Sequence, residues 1–230
     1  MNIKSVFISG VLVCAAWSSQ VGAAALPHAE FDGVWQVMGK ITHLQTVDGK
    51  SPPLLPSAQQ QYDQHRQAFK KGDHRFDSVT QCQPPGVPRV AYETMPFEIM
   101  VQKKQVVLMY QWNRLARFVD IDKAHSEPLG PTFLGQSVGR WEGNTLVVDT
   151  NGFGDMTLLD AEGLPHSDQL HVIERYTLSK NGQQLDARIT IEDPQTFSKA
   201  WDTQVSFKRL KNAQIEEDVC VERLQLDQYK

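Results

Sequence analysis

The densest group of potentially reactive side chains in this chain lies between residues 149 and 175. Carboxylates and two histidines occur there, and these side chains most often transfer protons near neutral pH. Our candidates for catalysis are His166, His171, Asp160, Glu174 and Arg175. We expect one histidine to act as the base, Asp160 to orient it, and Glu174 or Arg175 to meet the charge that develops.

Residues 170–179 predict a β-strand, along which side chains alternate between two faces. His171 and Arg175 therefore share one face, and Glu174 and Tyr176 share the other. If Glu174 faces an interior, a carboxylate there can serve as a general acid. If His171 and Arg175 face it, a near-neutral base lies beside a fixed cation. The pattern leaves both arrangements open.

Each of these residues also has a structural alternative. A histidine on a strand is often a satisfied structural residue, and a surface Glu174–Arg175 ion pair contributes only about 0–1 kcal/mol. The aspartates of the stretch are typical of residues that cap turns. Six further residues could contact a bound molecule: Asp149, Asp155, Tyr176, Trp141, Arg140 and Tyr110.

The sequence predicts neither a metal nor a cofactor. His166 and His171 lie five residues apart, and on a strand that spacing does not direct both side chains at one ion. We find no phosphate-binding or dinucleotide-binding glycine motif and no Gly-x-Ser-x-Gly nucleophile motif.

Short alternating segments predict the elements that must position these residues. Gly143-Asn144 and Asn181-Gly182 each separate two such segments, which is typical of tight β-hairpins. Ser57 predicts the N-cap of a surface helix over residues 58–71, which ends at Gly72. The predicted strands span residues 31–37, 97–101, 106–111, 114–120, 137–142, 145–150, 170–179, 184–191, 201–208 and 216–225.

Many short strands joined by hairpins must close or double over to protect their edges. The sequence therefore predicts an all-β fold, an antiparallel up-and-down β-barrel with one short N-terminal surface helix. A Greek-key sandwich is the alternative. Gly33-x-Trp35 resembles the first strand of calycins, the lipocalin-like barrels, in which a tryptophan packs across the floor against an arginine. That resemblance indicates Arg223 as the partner of Trp35.

The first 24 residues predict a cleavable signal peptide. Lys4 precedes an apolar run from Val6 to Trp17, and small residues follow at 22–25. The run is shorter than the roughly 20 residues that span a bilayer, so we expect no membrane span. Residues 25–230 then form one barrel domain, periplasmic or secreted.

The chain carries 23 basic and 27 acidic residues, and its longest basic clusters are lysine pairs, so we expect no nucleic-acid partner. Cys82 and Cys220 remain after removal of the leader. In an oxidising compartment such a pair predicts a disulfide, with two free buried thiols as the alternative.

The chain resembles a family of secreted bacterial proteins known chiefly as uncharacterised. The resemblance covers most of residues 80–225. Its motifs are Cys-x-Pro-Pro-Gly-x-Pro-Arg at 82–89, Gly-Arg-Trp-Glu-Gly-Asn-Thr-Leu-Val-Val-Asp-Thr at 139–150, Pro-His-Ser-x-x-Leu-His-x-x-Glu-Arg at 165–175, and Asp193-Pro194. The chain departs from the pattern at Gln136, Gly154 and Leu158, where the family has His, Asn and Trp. The resemblance implies no particular activity.

These observations together predict an exported β-barrel that binds a small, largely apolar organic molecule. The density of residues 149–175 favours cofactor-independent acid/base catalysis by a lyase, isomerase or hydrolase. A non-catalytic carrier and an envelope interaction module are the alternatives. The sequence is also compatible with an oligomer.

Overall fold

The computed structural model describes residues 26–126 and 130–227. The predicted signal peptide falls outside this range and remains a prediction. Nine strands form a closed barrel, which confirms the predicted all-β barrel. They are β1 (Gly33–Val37), β2 (Phe97–Val101), β3 (Gln105–Tyr110), β4 (Ala116–Ile121), β5 (Gln136–Glu142), β6 (Thr145–Asn151), β7 (His171–Leu178), β8 (Gln184–Glu192) and β9 (Trp201–Leu210).

One pair of neighbouring strands is parallel, which a simple up-and-down barrel does not contain. β4 and β5 run in the same direction, and the other eight neighbouring pairs are antiparallel. Nine strands that alternated throughout would leave β1 parallel to β9. The chain instead crosses from one end of the barrel to the other between Ile121 and Gln136, and β1 closes against β9 in the antiparallel sense.

The predicted surface helix is present as α1 (Pro56–Lys70), with Ala58 and Tyr62 as its buried residues. Ser57 is not its N-cap, because Leu55 takes that position and Pro56 begins the helix, where a missing N–H costs nothing. Four short 3₁₀ turns cover Ala29–Phe31, Ser78–Gln81, Arg89–Tyr92 and Trp112–Arg114.

The predicted last strand, residues 216–225, is wrong. The chain forms a helix there, α2 (Cys220–Asp227). Both edges of β1 are already paired, with β2 and with β9, so the closed sheet offers no edge to a tenth strand. No helix in residues 26–126 or 130–227 has the length and apolar character to cross a bilayer.

Two long connections cover the upper end of the barrel, where β1 finishes and β2 begins. Residues 38–96, which include α1, and residues 152–170 together form what we call the cap. Tyr92 joins its two parts by donating a hydrogen bond to the carbonyl of Leu159. Val90, Tyr92 and Leu164 of the cap belong to the same apolar core as the barrel side chains. The barrel is therefore closed above by packed side chains.

An aromatic ring and a guanidinium group close the lower end. Arg209, not Arg223, lies over the Trp35 ring, with its Cζ 4.2 Å from the ring centroid. Arg223 instead pairs with Asp218 at 3.1 Å. The predicted tryptophan–arginine pair therefore exists, but its cation comes from β9, the strand directly paired with β1.

The predicted disulfide is confirmed, since Cys82 is bonded to Cys220. It ties the start of α2 to the cap. Close by, the N–H of Asn113 donates to Asp218 at 2.6 Å, so the C-terminal segment is also fastened to the turn between β3 and β4.

Candidate functional site

Six polar side chains gather inside the upper half of the barrel. They come from five neighbouring strands, β3 to β7, and all are at least 95% buried. We call this group the inner polar cluster: Tyr110, Arg117, Ser137, Thr150, Glu174 and Tyr176. Strand alternation places each of them on the inner face, and the rest of that face is predominantly hydrocarbon.

Arg117 is the centre of the inner polar cluster. Its Nε donates to Ser137 Oγ at 2.9 Å, and its Nη2 donates to Thr150 Oγ1 at 2.8 Å and to Glu174. Tyr176 donates to the other carboxylate oxygen of Glu174 at 2.8 Å. A buried charge is tolerated only when it is paired and hydrogen-bonded, and here each charge neutralises the other.

Two donors in this cluster have no acceptor. Arg117 Nη1 and the Tyr110 hydroxyl are both buried, and although the guanidinium and the hydroxyl are neighbours, neither atom has a hydrogen bond of normal length. Burial raises the pKa of Tyr110 to about 12 even though the neighbouring Arg117 guanidinium lowers it, so Tyr110 keeps its proton at neutral pH. A buried donor without an acceptor costs about 1–3 kcal/mol. The inner polar cluster therefore offers hydrogen bonds that the described side chains do not use.

His171 lies outside the barrel, in a second group that we call the outer histidine cluster: His125, Asp149, His171 and Glu192. The Nε2 atoms of His125 and His171 lie 2.8 and 2.9 Å from the same Asp149 oxygen, Oδ1. His171 Nδ1 lies 3.2 Å from Glu192. Since carboxylates only accept hydrogen bonds, His171 must donate from both nitrogens and is an imidazolium.

The protonation of the outer histidine cluster agrees with this geometry. Burial lowers the pKa of His171, but its hydrogen bonds to Asp149 and Glu192 outweigh burial and raise that pKa above 6.5. Burial raises the pKa of Asp149, yet hydrogen bonds from His125 and His171 bring it below 3.8. His171 is therefore held as a cation between two anions.

His166 lies in the cap. Its Nδ1 donates to the Ser167 carbonyl at 2.9 Å, so its Nε2 accepts from Thr157 Oγ1 at 2.6 Å. Burial lowers the pKa of His166 and keeps the ring neutral. Ser167 in turn donates its N–H and hydroxyl to Asp193 at 2.6 and 2.7 Å. These motif residues fasten one part of the cap to the loop after β8.

Asp160 does not orient a histidine, contrary to our expectation. Its carboxylate accepts the backbone N–H groups of Leu44, Glu162 and Leu164 at 2.9–3.1 Å, and the Tyr62 hydroxyl at 3.4 Å. Burial raises the pKa of Asp160 above 3.8, although these N–H donors lower it. Asp160 holds together cap segments that are far apart in sequence.

The remaining predicted residues lie apart from one another. Arg140 and Arg175 both contact Glu142 on the outer wall, so Arg175 does not form the surface pair with Glu174 given as its alternative. Trp141 stacks on His28 at the lower end, with ring centroids 3.8 Å apart. Asp155 is exposed in the cap. From the sequence-predicted set, the structure therefore brings Glu174, Tyr176 and Tyr110 together inside the barrel, and Asp149 and His171 together outside it.

Sequence reasoning missed Arg117 and Ser137 as members of the site, and Thr150 entered only as the last residue of the motif at 139–150. Arg117 precedes Phe118, a large apolar residue that is 57% exposed on the outer wall. The alternation of β4 places an arginine inside and a phenylalanine outside. Arg117 shares its face with Val119, which is fully buried, but the residue type of Phe118 favours the opposite face as the core.

Clefts also open at the surface of the cap and where the cap meets β9. Within residues 26–126 and 130–227, no group of three or more His, Cys, Asp or Glu side chains is arranged to hold a metal ion. A cleft of about 280 Å³ opens in the cap beside Tyr62, Arg66 and Glu162. Its lining contains no strand residue, so it is separate from the inner polar cluster.

Comparison with known proteins adds little to this description. No family model and no curated protein matches the chain. The solved structures similar to it include the REP1-NXSQ fatty acid transporter and a point mutant of that transporter. Each is 11% identical to the chain and is covered over 99% of its own length, with 80% and 79% of this chain covered. The TM-scores are 0.38 and 0.37, too low to support an argument about fold or function.

Proposed function

We propose that this chain is an exported binding protein that holds a small, largely apolar organic molecule inside its barrel. The observation that supports this most is the pair of unused donors, Arg117 Nη1 and the Tyr110 hydroxyl, in an interior that is otherwise mostly hydrocarbon. Ligand sites in proteins typically combine an apolar lining with a few placed polar groups.

Binding without chemistry fits the placement of the titratable groups better than acid/base catalysis. The proposed bases, His166 and His171, lie in the cap and on the outer wall, and Asp160 contacts neither. Glu174, the one interior carboxylate of that set, is occupied by Arg117 and Tyr176. A catalytic site would need an acid and a base that converge on free space.

Export is part of this proposal. It is motivated by the predicted signal peptide and by the disulfide between Cys82 and Cys220, since disulfides persist mainly in oxidising compartments. In this reading the ligand reaches the barrel interior through the upper end, which the cap covers.

Two tyrosine variants test the proposal because only one of the two hydroxyls has a partner. Tyr110→Phe removes a hydroxyl with no acceptor, so the empty protein should be as stable as the parent or more stable. Tyr92→Phe removes a hydroxyl that donates to Leu159, so it should lower the free energy of unfolding by about 0.5–1.5 kcal/mol.

The ligand-binding readout should show the opposite pattern. Native mass spectrometry of the parent protein, purified from its own host, should show a one-to-one adduct with a small organic molecule. Tyr92→Phe should keep that adduct, and Tyr110→Phe should lose most of it. A bare protein mass, together with no saturable binding of the neutral fluorescent probe N-phenyl-1-naphthylamine, would overturn the proposed function.

A further inference from the structure

The inner polar cluster carries no net charge. Arg117 and Glu174 form the ion pair within it, and Tyr110 keeps its proton at neutral pH. The side chains of Arg117 and Glu174 are 2% and 0% exposed, so solvent does not screen the pair. A ligand group that contacts the inner polar cluster therefore meets a surface that has no net charge and no contact with solvent.

The two groups with unused hydrogens are donors. A guanidinium has N–H donors and no acceptor, and Arg117 Nη1 carries two hydrogens without partners. The Tyr110 hydroxyl adds an O–H donor. Since burial favours satisfied hydrogen bonds, the complementary ligand atom is an acceptor with two lone pairs.

A carboxylate is the wrong acceptor for this cluster. Arg117 is already neutralised by Glu174, so a second anion would be buried beside a single cation. Burial of an unpaired charge costs far more free energy than one hydrogen bond contributes. A carbonyl oxygen accepts two hydrogen bonds and brings no charge and no donor of its own.

We infer that the ligand carries a neutral carbonyl group, as in a ketone, aldehyde or ester, on an otherwise apolar body. The carbonyl oxygen accepts hydrogen bonds from Arg117 Nη1 and the Tyr110 hydroxyl, and the hydrocarbon part lies along the apolar inner wall. This inference rests on the proposed function, because it assigns a chemical class to the molecule held in the barrel.

Three probes with the same number of carbon atoms test the inference: a straight-chain methyl ketone, the corresponding fatty carboxylate and the corresponding terminal alkene. Each competes with N-phenyl-1-naphthylamine for delipidated protein at a pH where the carboxylate is ionised. The ketone should bind about tenfold more tightly than the alkene, and the carboxylate no more tightly than the alkene.

Tyr110→Phe should reduce the advantage of the ketone over the alkene by roughly threefold to tenfold, with the alkene affinity unchanged. Tyr92→Phe, the matched control, should leave the ratio as it is. In the infrared spectrum, the carbonyl band of the bound ketone should move to lower frequency with the parent protein and move less with Tyr110→Phe.

The outcomes separate the two proposals. If none of the probes, including N-phenyl-1-naphthylamine, binds saturably, the proposed function fails. If all three chains bind equally well, or the carboxylate binds best, the proposed function stands and the carbonyl inference is wrong. The inference also fails if a crystal soaked in the ketone shows only an ordered water on Arg117 Nη1 and Tyr110.

Discussion

Arg209 lies over the face of Trp35, and the glycine two residues before the tryptophan makes this approach possible. A Cβ atom on Gly33 would lie 2.6 Å from Arg209 Nη1. The same guanidinium donates to the carbonyls of Asp32, Glu30 and Gly182. The Gly-x-Trp pattern at the start of the barrel is thus a steric requirement of the arginine that closes its lower end.

We therefore expect Gly33→Ala to lower the free energy of unfolding by about 1–3 kcal/mol. The methyl group displaces Arg209, and the φ of +130° at residue 33 is strained for any residue with a side chain. Gly49→Ala is the control, since residue 49 has a φ of +75° but nothing lies within 4 Å of its Cβ position. If urea denaturation showed the same loss of unfolding free energy for Gly33→Ala and Gly49→Ala, the steric explanation would be wrong.

The buried Arg117–Glu174 pair predicts a second, non-additive effect. Glu174→Gln leaves the Arg117 charge uncompensated and should cost about 3–5 kcal/mol. Replacement of both residues by methionine removes both charges and should be less destabilising than either single methionine variant. Urea titrations of the parent, the two single variants and the double variant give the coupling. If the two methionine substitutions cost the sum of their separate effects, the charges do not depend on each other.

The outer histidine cluster predicts a pH-dependent contribution to stability. The folded-state pKa of His171 is raised above 6.5, so its contribution is complete below that pH and is lost as pH rises through the raised value. The folded-state pKa of Asp149 is lowered below 3.8, so its contribution is complete above that pH and is lost as pH falls through the lowered value. The outer histidine cluster should therefore contribute most to the free energy of unfolding between about pH 4 and pH 6.5.

A double-mutant cycle with Asp149→Asn and His171→Gln measures this contribution. Both side chains are about a third exposed, so we expect a coupling of about 0.5–1 kcal/mol near pH 5.5 that shrinks toward zero at about pH 9. Glu192 and His125 also face these groups and remain unchanged in the cycle. A coupling that stayed constant across this range, or grew with pH, would contradict the imidazolium assignment.

The disulfide predicts a local and a global effect. Cys82 and Cys220 are 138 residues apart, and chain-entropy models assign about 4–5 kcal/mol to a loop of that size. We expect the double variant Cys82→Ser and Cys220→Ser to lose about 2–5 kcal/mol of unfolding free energy. Limited proteolysis should then cleave near α2 before it cleaves the barrel. The reduced parent protein is the control, and equal protease resistance with and without the bond would contradict this role.

Local sequence signals were sufficient for most of the barrel. The turns at Gly143-Asn144 and Asn181-Gly182 join β5 to β6 and β7 to β8, as their residue types indicate. The parallel β4–β5 pair has no such signal, because it follows from the parity of a nine-stranded closed sheet. The helix at residues 220–227 likewise depends on whether β1 has a free edge, which only the whole sheet decides.

The candidate site was less predictable because neighbours in sequence are separated by the sheet. Alternation predicts that His171 and Glu174, three residues apart, face opposite sides of the sheet, but it does not predict that Glu174 is the interior one. The ion-pair partner of Glu174, Arg117, is 57 residues away on β4. Arg117 could not be recognised from β4 alone, since Phe118 beside it is a more plausible core residue by type and lies outside.

The parallel pairing of β4 with β5 also defines a circular permutation of this chain. The first strand begins at Gly33 and the last strand ends at Leu210. Both residues lie at the lower end of the barrel, on β1 and β9, which pair in the antiparallel sense. A permuted gene that joined β9 to β1 and opened the link between β4 and β5 would encode nine strands in plain alternation. The present chain is thus a circular permutation of an ordinary antiparallel meander that would begin at β5.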